Sequence, residues 1–312
     1  MIQITEKVNF DIKNNVLPIF ARHETFHPRF GWLKKGFDKA KEDKKIFSSD
    51  EASIALGVGK NMVKAIKYWC IVFKILGEKR EGNNSYLNIT NFAEKLLENE
   101  GWDPYLENTA SLWLLHWQLF KPTCHAPAWF FTFNNFKHSQ FNTINLLSEL
   151  KDFQCNYFED NNISESSLSK DLNCILRMYS NKNNAVLNED TINSPFNELN
   201  LISEISNGSY MFNIGHKTNL PSEIIVSACL DFAGLYEKGA KTINISRLLY
   251  EVGSPGLIFK LSESALYEAL DEIASKISEI KIINSSGLIQ LSYDLDPKAL
   301  SLQILDYYFT KG

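Results

Sequence analysis

The sequence predicts a mainly α-helical protein with small β-hairpins, opening on a winged helix-turn-helix. Three observations predict it. Apolar residues recur at helical spacing through much of the 312 residues. Residues 51–69 carry the small-residue, glycine-turn, aliphatic pattern of a helix-turn-helix. Two pairs of short extended runs flank turn residues, at Gly82-Asn83-Asn84 and at Asn284-Ser285-Ser286-Gly287. The division that follows is a winged helix-turn-helix DNA-binding domain over 1–100, an aromatic-rich helical middle over 101–200 and a winged-helix-like unit over 201–312.

In chain order, Pro28 precedes an amphipathic helix over 29–41, with Phe30, Leu33 and Phe37 on its apolar face. Ser48 or Ser49 caps a short helix through Leu56, with Ala52 and Ala55 facing inward. Gly57-Val58-Gly59 is a tight turn. A helix from Lys60 to Leu76 follows, with Met62, Ile66, Trp69 or Cys70, and Phe73 spaced for one buried stripe and Gly77 as its stop. Gly82-Asn83-Asn84 turns a hairpin, and Thr90 caps a helix to about Glu98. Helix, helix, turn, helix, hairpin is the order of a winged helix.

The middle holds Trp102, Trp113, Trp117, Trp129, Phe130, Phe131, Phe133, Phe136 and Phe141. Such a density suits a packed core; stacking of unpaired bases is the alternative use. Asn108 or Thr109 caps a helix over 110–120, broken at Lys121-Pro122. Residues 159–163 and 180–195 read as surface connections around a helix with the stripe Leu168, Leu172, Ile175 and Tyr179. Toward the C-terminus, helices are expected from Pro221 to Tyr236, from Ile245 to Glu251 and from Ser262 to Ile280. A turn falls at 253–256, and strands at 280–283 and 288–293. This last unit is acidic and reads as a protein-contact module.

Charge distribution narrows the function. Residues 29–80 hold thirteen lysines and arginines against six carboxylates, a local +7 within an overall −5, so the remainder carries −12. A basic block on an acidic body suits local phosphate contact, while repulsion turns the rest of the protein away from nucleic acid. A solvated lysine-rich face without a partner is the plainer alternative. No apolar run reaches the roughly 18 residues of a membrane span. The first fifteen residues lack a signal-peptide core, so the protein is expected to stay in the cytoplasm and off the membrane. Five scattered cysteines match neither a zinc knuckle nor a disulfide framework and are expected to be reduced.

The strongest chemical pattern is Glu51-Ala-Ser-Ile-Ala-Leu-Gly57-Val-Gly-Lys60-Asn61-Met-Val-Lys64-Ala-Ile-Lys67. It places Lys60 and Asn61 at the helix end that enters a major groove, with Asn61 able to pair bidentately with adenine. Lys64 and Lys67 follow one and two turns on, toward phosphate. Lys34 and Lys35 on the preceding basic helix join them as DNA-binding candidates. Gly57-Val-Gly-Lys60 lacks the strand and the spacing of a phosphate-binding P-loop.

His23-Glu-Thr-Phe-His27 matches the HExxH zinc-protease pattern, which works only on a helix. Pro28 biases His27 out of the helical region, so the helix is expected after the motif, and no third ligand is evident. Arg22, His23, Glu24 and Arg29 still form a dense polar cluster. A histidine and a carboxylate serve acid–base or metal-ligand roles in phosphodiester chemistry, and arginines neutralise phosphate charge. A divalent metal, magnesium or manganese, is the cofactor such chemistry would use. The structural alternative is a salt-bridge and capping cluster.

The strings Arg22-His-Glu-Thr-Phe-His-Pro-Arg-Phe-Gly-Trp-Leu-Lys-Lys-Gly-Phe-Asp38, Leu56-Gly-Val-Gly-Lys-Asn-Met-Val63, Asp103-Pro-Tyr-Leu-Glu107, Leu112-Trp-Leu-Leu-His-Trp117, Ala126-Pro-Ala-Trp129 and Ser254-Pro-Gly256 resemble the SspB-like family. The likeness covers nearly the whole chain. It implies a component of bacterial DNA phosphorothioation, the replacement of a non-bridging phosphate oxygen by sulfur that marks self DNA for defence. It also implies double-stranded DNA as a partner, together with a cysteine desulfurase, a sulfur transferase and an ATPase of the same system, and DNA nicking as the activity. The choice of Arg22, His23, Glu24 and Arg29 as catalytic rests on residue chemistry and is not carried over from the family. The expected function is therefore DNA binding with nicking of one strand to allow modification. A non-catalytic DNA-binding adaptor that recruits the modification enzymes is the alternative, and a metallohydrolase built on His23 and His27 the weaker one.

Overall fold

Side-chain caps set some of the helix starts, but not that of the helix before Gly57, whose N-cap is Glu51 without a side-chain bond and neither Ser48 nor Ser49. The computed structural model describes residues 6–7, 10–81, 84–159, 163–180, 194–206, 208–285 and 287–311. The tip Gly82-Asn83 and the greater part of the expected connections at 159–163 and 180–195 lie outside these residues. Strand β1 (Glu6–Lys7) leads to α1 (Ile12–Asn15), where Asp11 accepts the Asn14 N–H. Helix α2 (Trp32–Glu42) starts three residues later than the sequence suggests, because Gly31 sits at φ 74° in the left-handed region. Phe30 therefore lies before the helix and is exposed, while Leu33 and Phe37 are buried.

Helix α3 (Ala52–Leu56), the left-handed Gly57 and α4 (Lys60–Val72) realise the expected helix–turn–helix order. Ala52 is buried, and Ala55 faces solvent instead of the interior. Helix α4 stops well short of Gly77. Lys74 occupies the left-handed position at φ 59°, its N–H donates to the Ile71 carbonyl at 3.0 Å, and the Ile75 N–H donates to the Cys70 carbonyl at 2.8 Å. This is a Schellman ending with lysine in the position glycine usually fills, and buried Ile75 closes it. Gly77 accordingly lies in β2 (Leu76–Glu81), which pairs antiparallel with β3 (Asn84–Ile89). Thr90 caps α5 (Asn91–Leu97): its Oγ1 accepts the Ala93 N–H at 3.1 Å and donates to the Lys74 carbonyl at 2.5 Å, tying helix start to hairpin base.

Asn108 caps α6 (Thr109–Phe120), a helix apolar on all sides and buried throughout. Asp103 prepares that entry, its two oxygens accepting from the Glu107 and Asn108 N–H groups and from the Ser111 hydroxyl. Helix α7 (Pro127–Phe130) runs into a π turn over Phe131–Asn135. Then come β4 (Gln140–Asn142), α8 (Thr143–Tyr157), α9 (Glu165–Tyr179), a 3-10 turn over Pro195–Leu199, β5 (Ile202–Ser206) and β6 (Ser209–Phe212). The order β4-β6-β5 makes an antiparallel sheet that was not among the expected elements. Apart from half-buried Trp102, the aromatics named for the middle region are buried, which is the packed-core outcome.

The C-terminal part is α10 (Ser222–Tyr236), β7 (Glu237–Lys238) paired with β1, β8 (Thr242–Asn244), α11 (Ile245–Tyr250), α12 (Pro255–Ile258), α13 (Glu263–Lys276), β9 (Ile280–Ser285), β10 (Leu288–Tyr293) and α14 (Pro297–Lys311). Strands β8-β10-β9 form a second antiparallel sheet. The expected turn at 253–256 is partly helical, since Ser254 caps α12 and Pro255 opens it. Gly256 is required there: a Cβ would meet the Leu249 backbone at 2.5 Å. Helix α14, unforeseen from the sequence, returns to the N-terminal region. Asp306 accepts from Lys95 Nζ at 3.0 Å and Trp102 Nε1 at 2.9 Å, and Phe309 stacks on Trp102 at 5.3 Å. One set of buried apolar side chains runs from Ile12 to Leu305. Among the described residues no helix is long and apolar enough to cross a membrane.

Candidate nucleic-acid interface

Helix α4 presents Lys60, Asn61 and Lys64 to solvent, with Lys67 half-buried, while Val63, Ile66, Trp69 and Cys70 face the core. Its N-cap is Gly59, which offers no side chain to the first N–H groups of the helix. An exposed start with open N–H groups and lysines beside it offers donors and positive charge on one face. Close packing against α2 fixes the helix: a Cβ on Gly36 would meet Cys70 Sγ at 2.5 Å and Ile66 Cγ2 at 3.1 Å.

The second wall is a strained loop. Ala21, Glu24 and Thr25 have φ of 56°, 51° and 66°, three left-handed residues without glycine in five positions. Non-glycine residues avoid this region at a cost of about 1–2 kcal/mol each, so the surroundings must hold them. Asp171 on α9 does so. Its Oδ1 accepts the Ala21 N–H at 2.9 Å and His23 Nε2–H at 2.8 Å, and both side chains of the pair are sealed from solvent. Burial pushes the Asp171 carboxyl above its usual range, and the His23 hydrogen bond pulls part of the way back. His23 also stacks on Trp69 at 6.3 Å and meets Trp129 edge-on at 5.8 Å.

With the loop anchored, Arg22 and Glu24 turn outward into a groove of about 460 Å³ shared with α4. Arg22, Glu24, Lys64, Lys67, Tyr68, Glu78 and His125 supply its polar lining, and Ile19, Phe47, Val63 and Ile71 its apolar part. Glu24 pairs with Lys64 at 3.4 Å across it. His125 comes from the break after α6. Its Nδ1–H donates to the Thr123 carbonyl at 3.0 Å, and Tyr68 donates to the His125 carbonyl at 3.4 Å. Burial, then the cation of Lys74, hold the His125 imidazole below its ordinary pKa. Lys74 is itself held down to about 8, chiefly by burial, and donates to the Thr123 carbonyl.

Of the ten residues singled out in the sequence, Arg22, Glu24, Lys64 and Lys67 line this groove. Lys60 and Asn61 stand exposed at the start of the same helix. His23 is buried beneath the loop. Arg29 lies 5.4 Å from the rings of Phe26 and Trp32, outside the groove lining. Lys34 pairs with Asp38 at 2.6 Å, and Lys35 is exposed on α2. The stretch from His23 to His27 is a turn followed by irregular chain, so its imidazoles share no helical face. Among the described residues no group of three or more His, Cys, Asp or Glu stands together to hold a metal. His125, Glu78 and Tyr68 went unnoticed in the sequence. A histidine beside a helix-breaking Lys-Pro-Thr-Cys was the available signal, but its neighbours in the groove lie some fifty or more positions away.

Fold and groove together define a mainly helical protein with a lysine-bearing helix facing a strained loop that carries an arginine and a carboxylate. Residues 20–309 match the model of the family described as "Protein of unknown function (DUF4007)", and the chain belongs to that family. Two solved structures are similar over almost the full length. An SspB crystal structure shares 33% identity at a TM-score of 0.90, covering 96% of this chain and 90% of the other. A magnesium ion-bound SspB crystal structure shares 33% identity at a TM-score of 0.91, covering 97% and 91%. Comparison with curated proteins gave no match.

Proposed function

We propose that this protein is the DNA-binding component of a bacterial DNA phosphorothioation system and that it nicks one strand to allow modification. The carrying observation is the groove in which Arg22, Lys64 and Lys67 converge with Glu24 beside the exposed start of α4. Three cations there suit a phosphodiester, and the open N–H groups of α4 add to them. The likeness to SspB supports the assignment to such a system. In this reading α2, α3, α4 and the β2–β3 hairpin act as a winged helix: Lys60 and Asn61 approach base edges, and Lys64, Lys67, Lys34 and Lys35 follow the backbone. Residues 201–312 serve contacts with the cysteine desulfurase, sulfur transferase and ATPase of the system, and residues 101–200 hold the two ends together.

Within the groove Arg22 neutralises charge on the phosphate, and Glu24 holds Lys64 and orients water. His23 acts one layer back as a positioning residue, since its ring is sealed against Asp171. Arg29 props the same segment from the rings of Phe26 and Trp32. Cleavage in this reading draws on these protein groups and water, and a divalent metal, magnesium or manganese, would add positive charge at the phosphate. The related SspB crystal structure contains magnesium, so the assay is run with and without that ion.

The exposed Lys60, Asn61 and Lys64 of α4 can grip DNA without any chemistry, which supports one second reading, a DNA-binding adaptor that recruits the modification enzymes without cutting. Supercoiled plasmid separates the two. Conversion to open circle, abolished in Arg22→Ala, is expected for the nickase. Plasmid binding without any open circle, with or without magnesium, overturns nicking and leaves the adaptor.

A further inference from the structure

We infer that His125 is a catalytic residue of the groove, the group that takes the proton from the attacking water during strand cleavage. The inference rests on the nicking reading and adds to it a residue on a different segment from the loop and from α4.

The position of the ring and the partner of its Nδ1 support this. His125 lines the groove together with Arg22, Glu24 and Lys64. Its Nδ1 faces the Thr123 carbonyl at 3.0 Å, and a carbonyl only accepts, so Nδ1 carries the proton. The lone pair of the neutral ring is then on Nε2, fixed by the partner of the other nitrogen. The supporting chain is pinned as well: Tyr68 of α4 donates to the His125 carbonyl, and the Lys74 ammonium donates to the same Thr123 carbonyl from behind. Its surroundings keep the imidazole neutral at pH 7. Burial and then Lys74 lower its proton affinity, while the Thr123 hydrogen bond and Glu78 oppose them; the other charged groups that line the groove are Arg22, Lys64, Lys67 and Glu24. The other histidine near the groove, His23, is committed to Asp171 and shut off from solvent.

The step balances without an outside reagent. A water oxygen attacks phosphorus and forms the new P–O bond with its electron pair. Its proton goes to His125 Nε2. The bond from phosphorus to the leaving sugar oxygen breaks, that oxygen keeps the pair, and the proton held by His125 returns to it through solvent. Arg22 and Lys64 face the added negative charge.

The test uses the full chain on supercoiled plasmid. His125→Asn keeps an N–H near the position of Nδ1 and removes Nε2. Its nicking rate is expected to fall by about 100-fold or more, the usual worth of a general base, with DNA affinity within about threefold. His125→Ala is expected to regain nicking when imidazole is added. Wild-type rate should decline only as pH falls below the ordinary imidazole range. Nicking by His125→Asn within tenfold of wild type overturns the inference and leaves the nickase intact. A folded but inactive His125→Ala that imidazole does not rescue also overturns it, returning His125 to a structural role. Absence of nicking by the wild type overturns this inference and the nickase reading together.

Discussion

Replacing Asp171 with alanine should free the loop that carries Arg22 and Glu24. Two donors converge on one buried carboxylate oxygen, the Ala21 N–H at 2.9 Å and His23 Nε2–H at 2.8 Å. Against them works the backbone of Ala21, Glu24 and Thr25, all at positive φ. At about 1 kcal/mol each, the three residues store roughly 3 kcal/mol that the anchor must at least match. Removing one member of a buried pair costs about 3–5 kcal/mol when the other stays buried. Release of the loop lets His23 reach water and caps the loss near the lower figure. With an m-value of about 3 kcal/mol/M in urea, the midpoint should fall by about 1 M. Arg22 is exposed at the centre of this loop, so trypsin should cut there much faster in the variant, and DNA affinity should drop as Arg22 loses its place. A midpoint within about 0.3 M of wild type, with Arg22 still protected, would refute the anchoring role of Asp171.

Glu24→Gln keeps shape and removes the groove's charge partner to Lys64. Nicking should be lost while DNA binding is kept or slightly tightened, read by plasmid relaxation beside a binding titration; full nicking by the folded variant excludes this carboxylate from the chemistry. Gly36→Ala drives a Cβ to 2.5 Å from Cys70 Sγ, and the melting temperature should fall by several degrees for a loss of about 1–3 kcal/mol. Adding Cys70→Ala should restore much of it, and an unshifted single variant contradicts the α2–α4 contact. His116 is buried between the Tyr179 hydroxyl and the Ile258 carbonyl, and burial pushes its pKa down to about 3. The folded state therefore binds fewer protons than the unfolded chain. The stability this group supports is complete above about pH 6.5 and is lost as pH falls toward 3, by an amount on the order of 5 kcal/mol. His116→Gln should flatten that window in denaturation curves at stepped pH, and unchanged pH dependence counts against a neutral, buried His116.

Much of the N-terminal architecture was legible because its signals are local. Gly57 ends α3, Thr90 caps α5, and the lysine spacing of α4 stands in the sequence as written. The end of α4 was misread for an equally local reason: Lys74 takes a position that sequence patterns assign to glycine, so Gly77 drew the boundary. Helix α14 carried its own signature, Asp296 accepting the Ala299 N–H and Pro297 at the first helical position. In the sheet β4-β6-β5, the β5–β6 pair carried a signal that went unread, Asn207-Gly208 between two short apolar runs, whereas β4 joins from about sixty residues away, beyond the reach of local patterns. The candidate site divides the same way. Arg22, Glu24, Lys64 and Lys67 were named from residue type and spacing. That His23 faces inward, onto an aspartate 148 positions away, depends on the packing of α9, as does the strain in the loop above it. His125 enters the groove through a chain break whose course local rules do not set.

In the proposed function DNA lies along α4 beside the anchored loop. The salt dependence of affinity for a short duplex, wild type against the double variant Lys60→Glu and Lys64→Glu, measures this contact. Each phosphate contact contributes about 0.9 to the slope of log K against log salt. The double variant should bind weakly with a slope shallower by roughly two such contacts, while keeping its fold. Equal affinity and equal slope in a folded double variant would take α4 out of the interface and the groove out of the function.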